Sequence, residues 1–198
     1  MAQKLEALAQ AQSPDAPKPK IRVGLAWCGS LKSDSARRRA VPLRALLPLL
    51  DAGAPGDILF VSLQSREFAA QMAEVPEFPL LDMSSLTDDF ADLAAVIANL
   101  DLVVSVDTSY AHLSAALGVP TWRMLPKRYD WRWGWGRQDS PWYPIDRQFW
   151  QTTEGNWAPV IDAIKNELGS LLAEPVDSHS PEWLQARILA ATACIAPT

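Results

Sequence analysis

The chain has 198 residues, 48% hydrophobic and 21% charged, an ordinary globular composition with room for one sizeable core. Its net charge of -5 at pH 7 argues against a general nucleic-acid binder. Cys28 and Cys194 fit no metal or disulfide spacing. No apolar run reaches the roughly 18 residues of a membrane span, and no signal-peptide core opens the chain, so a reducing, cytoplasmic setting is expected.

Met1–Gln12 reads as a short helix and Ser13–Lys20, "SPDAPKPK", as a Pro-rich linker. A rhythm begins at Ile21. "IRVGLAW" (21–27) is a strand, "CGSLKSDSARRRA" (28–40) a polar loop and "PLRALLPLL" (42–50) a helix despite its proline. "DILFVSLQ" (57–64) is a second strand. "SREFAAQMAEV" (65–75) is a helix capped by Ser65, and "FPLLDM" (78–83) a short strand. "SLTDDFADLAAVIANL" (85–100) reads as a helix capped at Thr87 or Asp88, with Phe90, Leu93, Ile97 and Leu100 on its apolar face.

"DLVVSV" (101–106) is a buried strand, "YAHLSAALG" (110–118) a helix ended by Gly118, and "TWRML" (121–125) another strand. A Trp-rich loop (126–147), an edge strand (147–151) and an amphipathic helix (156–172) follow. Residues 173–198 read as an appendage with one more helix from Pro181. Three parts result: 1–20, 21–172 and 173–198. Strands alternating with helices imply right-handed βαβ units, and near-continuously apolar strands imply cover on both faces. The expected fold is an α/β, Rossmann-like three-layer domain with a mostly parallel sheet.

Ligands of such sheets bind beyond the carboxyl ends of the strands. Three groups fall there: residues 28–40, Gln64 with Ser65, and "DTSYAH" (107–112). Thr108, Ser109 and Tyr110 open a helix, whose backbone N–H groups suit a phosphate. Asp107 would repel that phosphate, so it serves either as an acceptor for sugar hydroxyls or as the helix cap. His112 reads as a packed or hydrogen-bonded residue. With His179 the only other histidine, no cluster has zinc spacing.

Arg37, Arg38 and Arg39, with Lys32, are either a solvated cluster or a clamp for a diphosphate. Between Val119 and Trp150 the chain carries a local charge of +3, and five of its nine tryptophans fall between Trp131 and Trp150. That segment is either a packed lid or a surface where Trp131 stacks on a base or sugar while Lys127, Arg128 and Arg132 approach phosphates. There is no GxGxxG fingerprint, Walker lysine motif or GxSxG elbow.

Five motifs occur in order: "GLAWCG" (24–29), "RRR" (37–39), "SLQ" (62–64), "DTSYAH" (107–112) and "DWRWGWGRQDSPWYP" (130–144). Together they resemble the donor-binding half of glycosyltransferase family 9, the heptosyltransferase group, in the form found at the end of bacterial tetratricopeptide-repeat proteins. The resemblance covers residues 21–172 and implies the C-terminal half of a GT-B architecture. By this resemblance Asp107 faces the donor sugar, Thr108 and Ser109 hold the diphosphate through their backbone, and His112 supports the turn. Arg37–Arg39 and Lys32 lie near phosphate or acceptor, and Gln64 approaches the nucleoside.

Ser109 stands where the family usually has glycine. Only some 20 residues precede the first strand, so the acceptor half that supplies the catalytic base in this family is expected to be missing. The implied substrate is a nucleotide diphosphate sugar, used without a cofactor or metal. A partner carrying an acceptor domain or a repeat is implied as well. A chain of this kind transfers a glycosyl group to an acceptor hydroxyl, binds a nucleotide sugar without turnover, or docks another protein through its tryptophans.

Overall fold

The computed structural model describes residues 1–12, 14, 18–134 and 136–173. The expected appendage helix from Pro181 and half of the Pro-rich linker lie outside the described residues. Helix α1 (Ala2–Gln12) forms as expected. Six strands follow: β1 (Ile21–Ala26), β2 (Ile58–Ser62), β3 (Leu81–Asp82), β4 (Leu102–Val106), β5 (Thr121–Leu125) and β6 (Asp146–Trp150). All pair in parallel, in the order β3-β2-β1-β4-β5-β6. This is the doubly wound order, whose direction of travel reverses between β1 and β4.

The apolar alternation of each strand feeds two layers. On one face Val23, Leu25, Phe60, Val104, Trp122 and Phe149 pack against residues 43–52 and helix α6 (Ala158–Leu172). On the other, Ala26, Val61 and Val103 meet α1 and helix α4 (Phe90–Ile97). Covering both faces is why the strands lack polar alternation. Gly24, mid-β1, leaves room for Leu63 and Leu100, since a Cβ there would lie 2.6 Å from Leu100 Cδ1.

Several local expectations are corrected. The polar loop after β1 contains a short helix, α2 (Asp34–Arg39), whose cap Ser33 accepts a hydrogen bond from the Ala36 N–H at 3.2 Å. Residues Leu43–Ala52 form a 3-10 helix, not an α-helix. The cause is legible: Leu43, Leu46, Leu49 and Ala52 are the buried residues, and a strict threefold spacing makes one straight row only at three residues per turn.

Ser65 does not cap a helix. Its hydroxyl turns to Glu67, and a 3-10 turn (Arg66–Phe68) leads into helix α3 (Ala69–Ala73). The cap of α4 is Asp89, whose carboxylate accepts from the N–H groups of Ala91 and Asp92. The two expected caps are engaged elsewhere, Thr87 with the Met83 carbonyl and Asp88 with Arg66. Phe90, expected on the apolar face, is the first residue of α4 and is exposed.

Candidate functional site

Asp107 follows β4 directly and is only 3% exposed. Helix α5 (Ser109–Ala116) starts two residues later, and its cap position is Thr108, not Asp107. The cap reading of Asp107 is therefore corrected. No side chain caps α5, since the Thr108 hydroxyl turns back to Ser105 and the Val106 carbonyl. The amino end of α5 thus retains first-turn N–H groups unanswered by any cap, with their positive dipole end. Ser109 is exposed there. Gly29, in the loop after β1, passes so close that a Cβ on it would lie 3.1 Å from Thr108 Cγ2. The β1 and β4 loops therefore meet at the point where the sheet order reverses.

Three guanidinium groups converge on Asp107. Arg39, at the end of α2, places Nη1 3.3 Å from Oδ2. Arg123, on β5, places Nη1 3.8 Å from Oδ1. Arg132, in the Trp-rich segment, places Nη2 3.9 Å from Oδ2. Arg123 is wholly buried and donates from Nε and Nη2 to Asp146 Oδ2, at 2.9 and 2.6 Å. Its plane lies 4.0 Å from the centre of the buried Trp133 ring. Arg132 also pairs with Asp130 at 3.3 Å.

A single 3-10 turn (Trp131–Trp133) sorts this segment. Three residues per turn send three side chains in three directions. Trp131 points to solvent at 82% exposure, Arg132 toward Asp107, and Trp133 inward beneath Arg123. Asp130 caps the turn by accepting from the Arg132 N–H. Ser140 Oγ accepts from the N–H groups of Trp142 and Tyr143.

His112 places Nδ1 3.0 Å from the Tyr143 hydroxyl and Nε2 3.8 Å from Asp107 Oδ1, with its ring tilted against Trp133. Burial pushes its pKa down, and the charge of Arg123 pushes it further the same way. The imidazole is therefore neutral at pH 7. Burial raises the Asp146 carboxyl to about 6, against the lowering pull of Arg123. Three acidic side chains (Asp107, Asp130, Asp146) stand against three guanidiniums. The members differ in freedom: Arg39 and Arg132 are about one-third exposed, whereas Arg123 is closed off.

The other expected site residues fall around this centre or away from it. Arg37 is held by the Leu31 carbonyl and Asp34, while Lys32 and Arg38 are exposed. Of the three arginines of α2, only Arg39 reaches Asp107. Gln64, after β2, is buried with Nε2 2.9 Å from Cys28 Sγ. Lys127 and Arg128 turn toward the end of β6, where the Lys127 N–H donates to Gln151 and Arg128 pairs with Glu154 at 3.1 Å. A surface cavity of about 610 Å³ lies there. Another, of about 460 Å³, lies between α1 and the amino end of β2. Neither is lined by Asp107. Among the described residues no group of His, Cys, Asp or Glu could hold a metal ion, and no helix is long and apolar enough to cross a membrane.

Arg123 and Asp146 were not singled out as site residues from the sequence. The signal was present: an arginine in the middle of a five-residue apolar strand, "TWRML", requires a buried carboxylate partner. Nothing local identifies that partner as Asp146, 23 residues later.

Residues 60–124 match the family model Glycosyltransferase family 9 (heptosyltransferase), which bears out the family resemblance read from the motifs. That span holds Gln64, Asp107 and Arg123, while Arg39 and Arg132 lie outside it. Protein FlbA of Caulobacter vibrioides is 31% identical over 161 residues, covering 78% of this chain and 26% of that protein. Among solved structures, the E. coli heptosyltransferase WaaC with ADP-2-deoxy-2-fluoro heptose matches with a TM-score of 0.51 at 18% identity, over 80% of this chain and 47% of that one. The likeness is one of fold. The chain spans about a quarter and about half the lengths of these two proteins.

Proposed function

We propose that this domain is the donor-side half of a glycosyltransferase and binds a nucleotide diphosphate sugar at the carboxyl ends of β1, β4 and β5. The observation that carries the reading is the convergence of Arg39, Arg123 and Arg132 on Asp107, beside the uncapped start of α5. Balanced charge means that a diphosphate gains little from net attraction. It gains by exchange: Arg39 and Arg132, half-open to solvent, leave the Asp107 carboxylate for phosphate oxygens, which accept guanidinium forks equally well. First-turn N–H groups of α5 supply further donors.

Asp107, freed from two of its three cations, then offers its carboxylate to hydroxyls of the sugar. In glycosyl transfer an acceptor hydroxyl attacks the anomeric carbon and the bond to the diphosphate oxygen breaks. The same cations and helix end stabilise the negative charge growing on that oxygen. Arginines and a helix end carry this charge in the present reading, so no cofactor is invoked. His112, bonded to Tyr143, holds the turn and is not assigned as the base. The base and the acceptor site belong to a second domain or partner, consistent with the partial coverage of both relatives. A second reading is a nucleotide-sugar-binding module without turnover of its own.

The test is thermal unfolding with millimolar UDP, ADP or GDP. A ligand that binds only the native state stabilises it by about 2.7 kcal/mol at one hundred times its Kd. A rise in Tm that Arg39→Ala diminishes is the expected result. Absence of any shift with all three refutes both readings, and donor hydrolysis or transfer by the chain separates the first from the second.

A further inference from the structure

We infer that Arg123 is a positioning residue of this site, a fixed counter-charge that keeps Asp107 in place while Arg39 and Arg132 move to the ligand. The inference rests on the diphosphate reading above and adds a division of labour among the three arginines. Arg123 is the one that cannot move. Its Nε and Nη2 are occupied by Asp146, its face is covered by Trp133, and it has no exposed surface. Its remaining nitrogen, Nη1, has no hydrogen-bond partner among the described residues and lies 3.8 Å from Asp107 Oδ1. Arg39 and Arg132 face the other oxygen, Oδ2, and both reach solvent.

The two sides of the carboxylate are thus served differently. Oδ1 meets the buried, anchored cation, and Oδ2 meets the two exposed ones. A diphosphate draws cations from the Oδ2 side only. A buried carboxylate stripped of every cation is strongly penalised. With Arg123 in place it never is, so releasing Arg39 and Arg132 costs less. Without Arg123 the carboxylate holds the other two arginines more tightly, and binding of the ligand weakens.

The experiment removes the buried pair together, as Arg123→Met/Asp146→Leu, since exchanging both partners for apolar residues leaves no orphaned charge. Binding of ADP, UDP, GDP and inorganic pyrophosphate is measured by calorimetry. The expected result is a Kd raised about tenfold or more for whichever probe the wild type binds, the scale of one charge-assisted hydrogen bond. Adding Asp107→Asn to that variant removes the carboxylate that retains Arg39 and Arg132, and binding recovers. A merely structural role for Arg123 predicts no such recovery.

Should the pair variant not fold, Arg123→Lys replaces it. That change keeps a cation beside Asp146 but loses the fork that reaches Asp107, and the same loss and the same recovery are expected. Wild-type binding left unchanged in the folded variant, or weakened without recovery on Asp107→Asn, overturns the inference alone. Wild-type protein that binds none of the four probes overturns the diphosphate reading and this inference with it.

Discussion

The buried pair Arg123–Asp146 makes a sharp stability prediction, because removing one partner and removing both have opposite consequences. In Asp146→Ala, Arg123 keeps its charge, loses both of its short hydrogen bonds and stays closed to water, with Asp107 at 3.8 Å as its nearest remaining counter-charge. An uncompensated buried charge costs about 3–5 kcal/mol. For a chain of this size each kcal/mol lowers Tm by about 2–4 °C, so the loss is about 6–20 °C. In Arg123→Met/Asp146→Leu no charge is orphaned, apolar side chains fill the space over Trp133, and stability stays near that of the wild type or rises. Urea unfolding of the wild type, both single variants and the double variant gives the coupling energy directly. The reasoning is refuted if Asp146→Ala loses less than about 1 kcal/mol, well short of that penalty, or if the double variant is as unstable as the single ones.

Asp146 also predicts an unusual pH dependence. Its folded pKa of about 6 lies above the unfolded reference near 3.9, so the native state holds this proton more tightly. The contribution is fully present below about pH 4 and is lost as pH rises to about 6, a fall of roughly 3 kcal/mol. The stability difference between wild type and Asp146→Asn should slope across that window, and a flat difference would sink the assignment. A third prediction concerns Cys28, whose thiol burial pushes up to about 12. Thiolate is the reactive form, so in a Cys194→Ser background iodoacetamide at pH 8 should modify Cys28 only after denaturation. Labelling of the native protein at the rate of a free thiol would contradict the buried environment.

The fold was legible because its signals are local and redundant. Each strand is a short apolar run, so all six strands could be read, five of them within two residues at either end; β3, expected over 78–83, is shorter. Asp107, Thr108 and His112 follow the end of β4, where the sequence set them. Misreadings arose where two local signals compete. Thr87, Asp88 and Asp89 are all eligible caps, and the choice fell to Asp89 because the other two side chains have partners elsewhere. Residues 43–52 read as an α-helix on composition, and only the threefold spacing of buried residues marks a 3-10 helix. What could not be read was the joining of distant segments. Arg39, Arg123 and Arg132 come from three separate stretches of the chain, and one arginine of the run 37–39 reaches the centre because α2 rotates the other two outward.

That joining changes what Asp107 is for. From the sequence it was either a sugar ligand or a helix cap, two roles in which the carboxylate acts alone. In the structure it caps nothing, and it is nearly closed off by the cations around it. A ligand arriving at the carboxyl end of β4 therefore meets Arg39 and Arg132 first and the acid only after they have moved. In the proposed donor complex, phosphate would then be recognised before sugar. A free sugar, which offers those arginines no anion, leaves the carboxylate covered. Under the proposed function the diphosphate would open the site, and affinity for the sugar would reside in its attachment to phosphate.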